Sequence, residues 1–143
     1  MLRKRLALWA VLVCCGWPSA AQDVVNYKDL KGTQFREYQL VVTIDSFDCE
    51  AVIGKKCRMA LTVENKGDKP ELFNATQLSI DNGRGTGYRA VPSEGTPAAN
   101  LKKELRPGAS AQMVVFFDGR IHFDRRDPAH LRYANTSKVR IIK

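Results

Sequence analysis

The sequence lacks any apolar run approaching the roughly 20 residues that a membrane-spanning helix needs. Its longest run, Leu6 to Trp17, has 12 residues. Three basic residues precede this run and the small residues Ser19 to Ala21 follow it, which is the anatomy of a signal peptide. We therefore predict a cleaved signal peptide over residues 1–21, an exported protein of the periplasm or the extracellular space, and no transmembrane span in the mature chain.

Cysteine is also scarce. Cys14 and Cys15 lie inside the apolar run, and an alternative to cleavage after Ala21 is a lipid anchor on Cys15, as in bacterial lipoproteins. Only Cys49 and Cys57 remain in the mature chain. An even pair in an exported domain indicates a disulfide bond, and its spacing matches neither C-x-x-C nor a zinc-ligand pattern.

No segment keeps a helical period over ten residues, and apolar residues instead alternate with polar ones. This alternation, broken by turn-forming residues, is typical of strands that bury one face. It predicts strands over residues 38–45, 58–64, 77–81, 88–90, 120–123, 131–134 and 139–141. Residues 113–117 are apolar throughout, which predicts a central strand covered on both faces.

Short strands with frequent turns predict an all-β domain, an immunoglobulin-like β-sandwich of Greek-key type with about seven strands. We assign it to residues 35–143, after an N-terminal arm or edge segment at 22–34. The buried tryptophan of antibody domains is missing, because Trp9 and Trp17 both belong to the predicted signal peptide.

Several segments resemble one known family. They are the strand Val41–Ile44, the strand and turn Leu61–Pro70, Leu78–Asp81, and Leu105–Gly108 leading into Val114–Phe116. This strand and turn rhythm resembles the bacterial extracellular immunoglobulin-like domains of unknown function, which are similar to mycobacterial immunoprotective antigens and to small lipoproteins. The resemblance covers residues 34–143. It implies a β-sandwich and a place in the cell envelope or outside it, and it supplies no catalytic residues.

Charge is unevenly distributed in the mature chain. Residues 22–118 hold thirteen basic and thirteen acidic side chains, whereas residues 119–143 hold seven basic side chains and two acidic ones. The excess predicts a basic face that attracts an anionic envelope component or protein partner. Nucleic acid is not expected as a partner of an exported chain. An alternative is that the arginines only protect edge strands from aggregation. The predicted binding residues are Arg120, Arg125, Arg126, Arg132 and Arg140.

No catalytic motif stands out, so we expect a non-enzymatic binding module without a cofactor. No Ser–His–Asp set or carboxylate pair has the spacing of a known site. A second hypothesis is a periplasmic copper or zinc carrier that uses His122 and His130. Met59 and Met113 fall on the core faces of predicted strands, where methionine packs as an apolar side chain. The distance between the two histidines in the fold distinguishes the hypotheses.

Overall fold

The computed structural model describes residues 24–49, 57–82, 84, 86–92, 95–117, 121, 123 and 126–142. These residues form eleven strands and three short 3-10 turns at Tyr27–Asp29, Ala75–Gln77 and Ala98–Leu101. The strands are β1 Val24–Asn26, β2 Gln34–Glu37, β3 Leu40–Asp48, β4 Cys57–Asn65, β5 Glu71–Asn74, β6 Leu78–Asp81, β7 Gly87–Val91, β8 Lys102–Leu105, β9 Ser110–Phe117, β10 Ala129–Tyr133 and β11 Thr136–Ile142. Among these residues, no helix has the length and apolar character that crossing a membrane requires.

Nine strands form one curled sheet in the order β1-β11-β10-β6-β7-β9-β4-β3-β2, and β5 and β8 form a small second sheet. The curl turns at β7, whose first part pairs with β6 while Ala90 and Val91 pair with β9. The curled sheet therefore has two halves, β1-β11-β10-β6-β7 and β7-β9-β4-β3-β2, which face each other across a common core as in a β-sandwich.

The connections confirm an all-β sandwich with Greek-key topology. β6, β7 and β9 follow one another along the chain, apart from the excursion into β8, and lie side by side. β10 then returns to pair with β6, so that its His130 lies opposite Asp81. The resulting spatial order, with the fourth strand beside the first, defines a Greek key.

The core follows from the alternation of the sequence. In β4, for example, Met59, Leu61 and Val63 are fully buried while Arg58 is exposed. Met113 is also buried, so both methionines pack in the core as predicted. Burying the apolar side of each strand between the two halves of the sheet supplies the main driving force for folding.

Three predictions differ from the structure. The first is the strand over residues 120–123, because Ile121 and Phe123, its described residues, lie outside any strand. β9 is central as predicted, but it is covered on one face only, since Val114 is 37% exposed.

The described residues also contain eleven strands rather than about seven. Part of the difference arises before the strand predicted over residues 38–45, where the additional strand β2 is joined to β3 by a two-residue turn at Tyr38 and Gln39. The segment predicted as an arm or edge contributes β1, which pairs in parallel with β11.

The predicted cysteine pair joins neighbouring strands. Cys49 follows β3 and Cys57 begins β4, and the two are disulfide-bonded. β3 and β4 pair along their length, so the bond closes the end of a hairpin whose loop, residues 50–56, lies outside the described residues.

A second polar link closes the open side of the curled sheet. Nζ of Lys138 in β11 lies 2.5 Å from Oε2 of Glu37 in β2, and both side chains are largely shielded from solvent. The same Nζ donates a hydrogen bond to the carbonyl oxygen of Arg36 over 3.1 Å. Because β2 and β11 belong to opposite halves of the sheet, this ion pair ties the two halves together.

The small sheet is held against the curled sheet by Tyr133 of β10. Its hydroxyl accepts a hydrogen bond from the backbone N–H of Asn74 over 3.1 Å, and its ring stacks on Phe73 with ring centroids 5.2 Å apart. Burial raises the pKa of Tyr133 above the usual 10.0, although the Asn74 hydrogen bond opposes this shift. The fold therefore favours the neutral phenol.

Replacing Tyr133 by Phe is expected to lower the free energy of unfolding at neutral pH by about 1 kcal/mol, because the Asn74 N–H loses its acceptor. The raised pKa means that the unfolded chain loses this proton first, so parent stability falls as the pH rises above about 10. The Y133F variant should show a shallower fall. Urea denaturation at several pH values measures both effects. The matched control is Y88F, and equal losses in the two variants would refute the role of the Asn74 bond.

Candidate functional site

The outer surface of the half-sheet β1-β11-β10-β6-β7 is strongly polar. In β6, β7, β10 and β11, buried residues alternate with residues that point away from the core. We call this surface the arginine face and define it by Ser79, Asp81, Arg89, His130, Arg132, Ser137 and Arg140.

Strand register arranges these residues in two rows across the sheet. In the first row, Arg140 lies opposite His130, and His130 lies opposite Asp81. In the second row, Ser137 lies opposite Arg132, which lies opposite Ser79, and Ser79 lies opposite Arg89. Directly opposed side chains on one face of a sheet are close enough to interact. Residues from four strands thus form one continuous surface.

An ion pair occupies the centre of the arginine face. Nε of Arg132 donates to Oδ2 of Asp81 over 2.6 Å, and the Arg132 side chain also donates to the carbonyl oxygen of Asn135 over 3.3 Å. Both side chains are partly shielded, at 35% and 19% exposure. The Asp81 carboxylate therefore offsets the charge of Arg132 and fixes its guanidinium in one orientation.

His130 and Ser137 form the second contact at the centre. Nδ1 of His130 lies 2.8 Å from Oγ of Ser137, which is hydrogen-bonding distance. A serine beside a histidine, with Asp81 opposite, has the residue types of a nucleophilic triad. However, Asp81 is engaged by Arg132, and the three side chains stand on the outer surface of a sheet. This arrangement supports polar recognition better than hydrolysis.

Arg89 and Arg140 stand at opposite corners of the face and differ from Arg132. Within the described part of the chain, neither side chain makes a hydrogen bond or an ion pair. Arg89 is exposed and Arg140 is half-buried. Their guanidinium donors are available to a partner, whereas between them Arg132 is engaged with Asp81 and His130 with Ser137.

The outer surface of the other half-sheet, β7-β9-β4-β3-β2, has a different balance of positive and negative charge. Alternation and register place Arg36 and Arg58 there, together with Asp45, Asp48 and Glu64. The arginine face carries three arginines and one aspartate, so its formal charge is positive. On the opposite surface the charges nearly cancel, because Lys66 pairs with Glu64. The positive potential of these strands is therefore concentrated on one side of the sandwich.

The structure brings together part of the predicted basic cluster. Arg132 and Arg140 lie on the arginine face, and Arg126 is exposed shortly before β10. Arg120 and Arg125 lie outside the described residues. Part of the basic excess of residues 119–143 is offset by acids from earlier in the chain, since Arg132 pairs with Asp81 and Lys138 with Glu37.

Sequence reasoning missed Ser79, Asp81 and Arg89 as members of this surface. The signal was present in the alternation, because Leu78, Ile80 and Ala90 are buried and their neighbours face outward. What the sequence does not reveal is that β6 lies between β7 and β10, which places these residues beside the C-terminal arginines.

The metal-carrier hypothesis required His122 and His130 to lie within ligand distance of each other. His122 lies outside the described residues. Among the residues that are described, no group of three or more His, Cys, Asp or Glu side chains has the geometry to hold a metal ion. His130 instead contacts Ser137.

No protein-family model matches the sequence, and no curated protein shows significant similarity to it. Among solved structures, the yjhA protein from Bacillus subtilis is 15% identical and superimposes with a TM-score of 0.53 over 72% of this chain and 78% of that chain. An uncharacterised β-sandwich protein from Clostridium difficile is 10% identical, with a TM-score of 0.46 over 84% of this chain and 93% of that chain. The first similarity concerns the fold alone.

Proposed function

We propose that this protein is an exported, non-enzymatic interaction module that binds an anionic partner through the arginine face. The observation that carries the proposal is the contrast within that face. Arg89 and Arg140 have no polar partner in the described part of the chain, while between them Arg132 pairs with Asp81 and His130 contacts Ser137. An arginine without an internal partner retains its full capacity to bind carboxylate, sulfate or phosphate.

The positions of the arginines argue against a purely protective role. Charged residues guard the edges of sheets against pairing with other chains. Arg132 and Arg140, however, lie on β10 and β11, each of which has a neighbouring strand on both sides. Arg89 lies on β7 opposite Ser79 of β6, and the following residues Ala90 and Val91 pair with β9. Edge protection therefore does not account for Arg132 and Arg140, whereas ligand binding does.

Export is supported by independent features. The signal-peptide pattern precedes the domain in the sequence, and the Cys49–Cys57 disulfide suits an oxidising compartment. Envelopes and extracellular spaces are rich in anionic polymers and surfaces, which attract a surface of positive potential.

Replacing Arg89 and Arg140 together by Gln is expected to weaken binding to an immobilised sulfated polysaccharide about tenfold, since each lost exposed charge contact contributes up to about 1 kcal/mol. The double variant should elute at lower salt than the parent, because the attraction is screened over about 8 Å at physiological ionic strength. Circular dichroism should show an unchanged fold.

The matched control is the double variant R58Q/R106Q, which removes the same net charge from exposed positions outside the arginine face. If binding depends only on total charge, both double variants elute together, and the proposal is wrong. If only R89Q/R140Q elutes early, the binding surface is the arginine face.

A further inference from the structure

The position of Asp81 restricts the shape of the anion that this face accepts. Its carboxylate lies between Arg89 and Arg140, which have no polar partner in the described part of the chain, and it pairs with Arg132. The centre of the face therefore carries an ion pair without net charge, and a small anion placed midway between Arg89 and Arg140 gains little attraction there. Anionic groups therefore have to bind at the two corners separately.

The two corners are far apart. Arg89 on β7 and Arg140 on β11 are separated by three inter-strand spacings of roughly 4.8 Å and are offset along the strands. The Cα atoms are thus about 15 Å apart. Both guanidinium groups reach a single carboxylate or sulfate only if their side chains fold inward over the central ion pair. A ligand with two anionic groups along an extended body instead meets each arginine at its own corner.

The surface between the corners indicates what joins those groups. It presents the hydroxyl of Ser79 beside the hydrogen-bonded pair His130 and Ser137, and the remaining donor and acceptor capacity of such groups suits sugar hydroxyls. Among the described residues, the exposed large apolar side chains are Val24, Tyr38, Leu72 and Val114. Of these four, only Val24 lies next to the arginine face, at its rim beside Arg140. Membrane insertion and protein interfaces both depend on apolar or aromatic anchors.

We infer that the partner is an acidic polysaccharide that lies across the strands, with anionic groups at Arg89 and Arg140 and sugar hydroxyls over the serines and His130. The inference rests on the proposed function and specifies its ligand class. It implies that one chain bridges both arginines, so that the second contact forms at high effective concentration once the first has formed.

Calorimetric titration with a set of uronate oligomers tests the bridging. A polyuronate dodecasaccharide is expected to bind at least tenfold more tightly per uronate than free glucuronate, because only the long chain reaches both corners. Either single variant, R89Q or R140Q, should remove most of this length dependence, whereas the control R58Q should retain it. Equal affinity per uronate at both lengths would overturn the inference.

Two further probes separate failure of this inference from failure of the proposed function. The first probe is a vesicle of phosphatidylglycerol and phosphatidylcholine. If the protein binds these vesicles through Arg89 and Arg140 but does not bind the polyuronate, the polysaccharide assignment is wrong, whereas the proposal that the face binds anions still holds. Absence of binding to the polyuronate, to the vesicles and to the sulfated polysaccharide would overturn both. Neutral dextran should not bind.

Discussion

Replacing Asn65 by Ala is expected to lower the free energy of unfolding by about 3 kcal/mol, although the residue lies far from the arginine face. Among the described residues, Asn65 is the one buried polar residue of the core, and it is fully buried. Its Nδ2 donates to the carbonyl oxygens of Lys69 and Leu105 over 2.7 and 2.9 Å, and its Oδ1 accepts from the backbone N–H of Gly67 over 2.9 Å.

This effect is large because one side chain satisfies three backbone groups. Those groups belong to the turn after β4 and to the end of β8, so Asn65 joins the curled sheet to the small sheet. Alanine leaves all three without this partner, and each unmade buried hydrogen bond costs about 1 kcal/mol or more. Aspartate should be no better, because an ionised carboxylate does not donate to the two carbonyl oxygens.

Urea denaturation followed by circular dichroism measures the loss. The control is N82A, because the Asn82 side chain also accepts from two backbone N–H groups, those of Arg84 and Thr86, but in an exposed hairpin turn. That variant should lose under about 1 kcal/mol, since water replaces the lost acceptor. Equal losses at Asn65 and Asn82 would show that the buried network is unimportant.

The second large effect is expected from the disulfide. Replacing Cys49 and Cys57 together by Ala should lower the free energy of unfolding by about 2.5 kcal/mol, the value that the chain-entropy model gives for so short a loop. The sequence separation of the two cysteines is 8. The bond acts mainly by restricting the unfolded chain, so the folded strands β3 and β4 should keep their register.

Reductant supplies the control. The parent protein in excess dithiothreitol should lose the same stability as C49A/C57A, and the double variant should not respond to reductant at all. Alkylation without reductant should label neither cysteine of the parent. Labelling of both, or a parent that is insensitive to dithiothreitol, contradicts a structural disulfide.

Much of the fold could be predicted because a strand that buries one side shows apolar and polar residues alternating along the sequence. Leu40, Val42 and Ile44 in β3, and Leu78 and Ile80 in β6, are all buried as the pattern indicates. Alternation does not specify where a strand bends back. Tyr38 has a positive φ of 51°, which an aromatic residue rarely adopts, and no local turn former predicts the hairpin there.

Tertiary contacts explain that unpredicted turn. The backbone N–H of Gln39 donates to Oε2 of Glu71 over 3.2 Å, and the Lys66 N–H donates to the carbonyl oxygen of Gln39 over 2.9 Å. Both partners lie beyond β3 in the sequence. A local conformational cost is therefore outweighed by contacts that no short window of sequence contains.

The candidate site could be predicted only in part for a similar reason. Arg132 and Arg140 could be predicted as site residues because the excess of basic residues near the C-terminus can be counted directly in the sequence. Arg89 and Asp81 come from the earlier, neutral portion of the chain. They join the face because β10 pairs with β6, a contact between segments about 50 residues apart whose register depends on the whole core.

The most direct measurement of the central claim is a map of where an anionic chain touches the protein. Isotope-labelled protein titrated with the polyuronate dodecasaccharide should show NMR shift changes concentrated on β6, β7, β10 and β11, including the side-chain Nε–H of Arg89. Changes concentrated on β3, β4 and β9, or scattered evenly over both sides of the sandwich, would contradict binding by the arginine face.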